Sequence, residues 1–133
     1  MRFLATALVL TLAAPAFAHM PFGKFRPVCY VHTTDAATPV DTFAAVTLRA
    51  LTVTQIQCIA TGTTPSVPVT VQECSSTGTS CADTEGAITC DADGGMDDGT
   101  ITDGALDAGD WIFLNFGAPS GTIASVTVLV CGY

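Results

Sequence analysis

Six cysteines, at Cys29, Cys58, Cys74, Cys81, Cys90 and Cys131, constrain this 133-residue chain more than any other feature. All of them lie downstream of a stretch built like a secretion signal. Arg2 gives it a positive start, residues 3–14 an apolar run, and Pro15 a break. Ala16-Phe17-Ala18 is the small-x-small pattern that a signal peptidase reads. The apolar run falls far short of the ~20 residues that a membrane-spanning helix needs. Residues 1–18 are therefore predicted to be a removable signal, and no later segment reads as a transmembrane span. Cleavage after Ala18 starts the mature chain at His19; a second site, Ala14-Pro15-Ala16, would start it at Phe17. An even set of cysteines behind such a signal predicts disulfides in an oxidising compartment, secreted or periplasmic. A zinc site fits the pattern less well. The chain has no C-x-x-C pair, and His19 and His32 are not at zinc-motif spacing.

The remainder reads as one small β domain. Residues 19–27 (HMPFGKFRP) hold two prolines and a glycine and read as an extended arm, and residues 28–32 form the first strand candidate. Residues 19–42 are thus an arm and first strand, and residues 43–133 a β-sandwich core. Within the core, Val46 and Leu48 alternate with polar neighbours, Leu51 and Val53 continue in the opposite parity, and Ile56 and Cys58 switch it again. A one-residue slip flips a strand's faces, so each switch predicts a bulge, bend or turn. Residues 61–66 (TGTTPS) are predicted to be a loop, 67–72 a half-buried strand, 75–80 a tight turn and 87–90 a short strand. Residues 91–99 (DADGGMDDG) read as a glycine–aspartate loop, with 99–102 a further short strand candidate. Residues 111–116 (WIFLNF) are nearly all apolar and read as a central strand covered on both faces, with Trp111 in the core. A turn at 118–121 leads to a last strand from 123 to 131. Seven or eight short strands without capped helical periodicity predict an all-β fold, a single disulfide-bonded β-sandwich of jelly-roll or immunoglobulin-like type.

The strand layout favours one cysteine pairing. Cys74–Cys81 would staple a hairpin across its turn, Cys58–Cys90 would tie two strands, and Cys29–Cys131 would hold the first strand to the last.

Charge narrows the partners. Beyond the signal only Lys24, Arg26 and Arg49 are basic, against twelve acidic residues in the chain. That balance excludes nucleic acid, whose phosphates need basic patches, and disfavours docking on anionic lipid. An unidentified protein or glycan surface is the expected partner.

From about residue 45 onward the layout resembles small β-sandwich modules of phage virion proteins and of exported bacterial proteins of unknown function. The residues that carry the likeness are Ile56-Gln57-Cys58, Val71-Gln72-Glu73-Cys74, Ile88-Thr89-Cys90-Asp91 and Ala108-Gly109-Asp110-Trp111-Ile112. Ser120-Gly121-Thr122 and the alternating Val126-Thr127-Val128 complete it. The resemblance implies a sandwich fold and surface display or binding, and it supplies no catalytic residues. The secretion signal departs from what a virion component needs.

Three constellations bear on chemistry. Nine of the twelve acids fall between Asp83 and Asp110. Asp91, Asp93, Asp97 and Asp98 lie close together among glycines, an oxygen-rich set of the kind that calcium takes. The loop lacks EF-hand order, however, because Gly95 stands where a third acid belongs and Thr102 where the closing glutamate belongs. An N-terminal His19 would offer its amine and imidazole together to copper, with His32 as the second imidazole. Threonine pairs such as Thr52/Thr54 and Thr61/Thr63 are spaced too unevenly for an ice-binding solenoid. There is no G-x-S-x-G element and no carboxylate in an apolar context. The expected function is therefore a non-enzymatic exported binding or surface-structural module with no required cofactor. The alternative is a small metal-binding protein using calcium at the acidic loop or copper at the mature N-terminus.

Overall fold

A computed structural model describes residues 26–97 and 101–133. In chain order the strands are β1 (Val28–Thr34), β2 (Thr42–Val46), β3 (Leu51–Cys74), β4 (Cys81–Asp83), β5 (Ile88–Asp91), β6 (Gly95–Asp97), β7 (Ala105–Leu106), β8 (Trp111–Phe116) and β9 (Ser120–Gly132). They form one antiparallel sheet in the order β1-β9-β3-β8-β2, with β4 to β7 also pairing on β3. The fold is all-β, as the strand grammar predicts.

β3 organises the molecule. It runs for 24 residues straight through the segment predicted as a loop. Its first half pairs with β9 and β6, and its second half with β8, β5 and β4. The sheet folds over at residues 61–66, where the β9 register shifts twice. Thr64 there has φ 47° and Gly62 φ 142°. Gly121 on β9, with φ 76°, lets the two backbones close together: a Cβ at that position would collide with the Thr64 carbonyl. The predicted loop is thus a bend inside a strand. Its Gly, Thr and Pro residues set the angle without leaving the sheet. The result is barrel-like, one continuous sheet whose two facing layers share β3.

The parity switches have the expected cause. Between Val53 and Gln55 the register against Gly132 and Cys131 shifts, so Thr54 bulges and the buried set moves from Leu51 and Val53 to Ile56, Cys58 and Ala60. Beyond the bend, Val67, Val69 and Val71 face the same core. They meet Ile112 and Leu114 of β8 and Val126, Val128 and Val130 of β9 in one cluster. This apolar burial is the main force holding the layers together.

Several sequence expectations need correction. Trp111 is half-buried outside the core, because β8 buries only alternate residues, Ile112 and Leu114. Its other face carries an aromatic group, with Phe43 packed 4.8 Å from Phe113 and 5.4 Å from Trp111. The loop expected over 91–99 contains β6, and Ser120 and Gly121 belong to β9 rather than to a turn. Ile101 and Thr102 are not strand. Residues 1–25, which hold the predicted signal and most of the predicted arm, and residues 98–100 lie outside the described residues.

Candidate functional site

The three disulfides pair the cysteines as the strand layout favours. Cys29 and Cys131 face each other in the β1–β9 register with Cα atoms 4.1 Å apart, and Cys74 and Cys81 close the β3–β4 hairpin at 4.0 Å. Cys58–Cys90, at 5.2 Å, joins the two layers, one cysteine from each half of the fold. No free cysteine remains. Such a set belongs to a protein that matures in an oxidising compartment.

The surface above the first layer is the candidate site. The register sets Val31 beside Leu129 and Gln57, and in the next row Thr33 beside Thr127 and Ile59. Side chains of one row share a face because cross-strand partners point the same way. Val31 is 64 % exposed and Ile59 44 % exposed. The turn between β5 and β6 rises along one side, so that Asp93, Gly94 and Gly95 wall an open groove of about 590 Å³. Two hydroxyl pairs continue the face, Thr33 with Thr127 at 3.0 Å and Thr61 with Ser125 at 2.7 Å. Thr33 and Thr61 thus pair across strands, whereas Thr77 bonds Thr79 within the turn between β3 and β4 at 2.8 Å. Cys29–Cys131 and Cys58–Cys90 anchor the floor, and Cys58 itself lines the groove.

The acidic residues mostly serve turns. The Asp91 carboxylate accepts the Asp93 amide at 2.9 Å. Glu85 accepts the Gly86 and Thr102 amides, and Asp110 accepts the Asp107 amide. Asp97 lies on β6 opposite Ile56. Among the described residues no three His, Cys, Asp or Glu side chains gather where an ion would sit. His32 is half-buried on the inward face of β1, and its proposed copper partner His19, like Asp98, lies outside the described residues.

A second acidic group was not visible in the sequence. Glu73 on β3 pairs with Ile112, which brings it to Asp110, with Asp103 and Asp107 nearby. Burial raises its pKa, and a hydrogen bond with Asp110 and repulsion from Asp110, Asp103 and Asp107 raise it further. Asp107 and Asp110 are themselves held by buried Thr47, whose hydroxyl donates to both of their backbone carbonyls. Across the hairpin turn, the Trp111 indole N–H donates to the Ser76 carbonyl at 3.3 Å.

Fold and surface together define a small all-β domain stapled by three disulfides, with an open groove on one face. Comparison with known protein families, characterised proteins and solved structures finds no match to the chain.

Proposed function

We propose that this protein is an exported, non-enzymatic binding module whose partner, a protein or a glycan, docks in the groove over β1, β9 and β3. The observation that carries this reading is the exposure of Val31 and Ile59 around an open groove on a disulfide-anchored sheet. Exposed aliphatic side chains on a rigid surface lose little conformational freedom on docking, which favours association. Asp93 is the titratable lining residue, as the cysteine is disulfide-bonded. Among the described lining residues Asp93 supplies the one carboxylate, and its neighbour Asp91 is engaged with the Asp93 amide, an arrangement that suits recognition better than catalysis.

The test is a binding screen of the oxidised protein against arrayed glycans and extracellular protein extracts, repeated with Ile59→Asp. A genuine partner is expected to bind the Ile59→Asp variant at least about tenfold more weakly, a loss of about 1.4 kcal/mol. The melting temperature should hold, since Ile59 lies outside the core. Binding that ignores the substitution, or silence across both panels, would overturn the proposal.

A further inference from the structure

The edges of the sheet are built differently. β2 has five residues and carries a register shift between Phe43 and Ala45. The short strands β4, β5, β6 and β7 have three, four, three and two residues. Short length and bulges are the usual protections of an exposed edge. β1 has neither. Its seven residues, VCYVHTT, all pair with β9 in unbroken register, and Cys29–Cys131 pins the strand in place. Its other edge pairs with no strand among the described residues. It contains no proline, lysine or carboxylate.

We propose that β1 pairs antiparallel with β1 of a second copy, about a two-fold axis at Val31, joining the two sheets into one. Val31 is the midpoint of the strand and is 64 % exposed. About that axis Val31 meets the second copy's Val31, Tyr30 meets its His32, and Cys29 meets its Thr33. The faces agree: residues 29, 31 and 33 are the exposed set, and 28, 30, 32 and 34 the half-buried set.

Charge selects this partner and this direction. At a formal net charge of −8, most surfaces of the molecule repel a second copy. β1 is neutral and flanked by exposed Arg26 on one side and exposed Asp35 on the other. In this register each copy's Arg26 falls opposite the other's Ala36, one position from its Asp35, so opposite charges are neighbours at both ends of the new ladder. Parallel pairing would set Arg26 against Arg26 and Asp35 against Asp35. The inference does not rest on a ligand in the groove, and Ile59 lies on β3, with β9 between it and the edge strand.

The experiment is sedimentation velocity of the full oxidised chain across a concentration series, at low and high salt. A dimer that dissociates on dilution, and more readily in high salt, is expected. Val31→Asp sets two carboxylates face to face on the axis and should leave monomer, while Val31→Thr should keep the dimer. Arg26→Glu alone and Asp35→Arg alone should each weaken association about tenfold, and the two together should restore it. Hydrogen exchange of the β1 amides in unsubstituted protein should slow as concentration rises. A monomer at every concentration, a dimer indifferent to Val31→Asp, or a double reversal no tighter than the single ones would overturn the proposal.

Discussion

Glu73 sets a residue-scale cost that the fold carries. Burial and the neighbouring Asp110, Asp103 and Asp107 raise its pKa above the unfolded value, so the folded chain holds that proton more tightly than the unfolded chain does. The penalty is full above the raised folded value and disappears below the unfolded one. Stability relative to a neutral variant should therefore rise as pH falls through that window. Glu73→Gln is expected to melt higher than the parent at neutral pH, and the difference should close on acidification. Because the group is largely solvated, the gain should stay under about 1 kcal/mol. Thermal melts of both proteins across pH check this, and a difference independent of pH contradicts it. Gly121 is the opposite case, a position where the backbone tolerates no side chain. Gly121→Ala would drive a Cβ into the Thr64 carbonyl at φ 76° and should cost more than about 2 kcal/mol in denaturant unfolding. The turn roles of Asp91 and Asp93 were legible from the glycines around them. Glu73 was not, because Asp110 becomes its neighbour only through the pairing of β3 with β8.

Among the elements, β3 decides the architecture. Its parity switches were legible as places where the faces flip, and the bulge at Thr54 is one of them. The 61–66 segment misled because Gly, Thr and Pro mark a bend inside a strand as readily as a loop between strands. Residues 111–116 misled for a related reason. A continuous apolar run does not say whether both faces are covered, and here Trp111 and Phe113 pack with Phe43 on the outer side. The disulfides act on these elements according to the loops they close, 102 residues for Cys29–Cys131, 32 for Cys58–Cys90 and 7 for Cys74–Cys81. Loop-closure entropy then ranks them at about 4.7, 3.7 and 2.4 kcal/mol. Replacing each pair by alanine should lower stability in that order. Loss of the hairpin staple costing most would contradict the ranking. Loss of Cys29–Cys131 should also speed exchange of the β1 amides, since that bond holds the edge strand to β9.

For the whole molecule, the cysteine arithmetic and the strand grammar made the fold class legible. The groove was not, because Val31, Leu129 and Ile59 come from three strands whose register only the folded sheet defines. Acidity, oxidised cysteines and an exposed apolar face on a rigid sheet fit one account, an exported module that recognises something outside the cytoplasm. That account hinges on export and oxidation together. The most direct test is the intact mass of the protein as its host releases it, taken with and without reductant. The account expects a chain beginning at His19 and lighter by six hydrogens than its reduced form. A chain that keeps Met1, or one whose cysteines are free thiols, would contradict it.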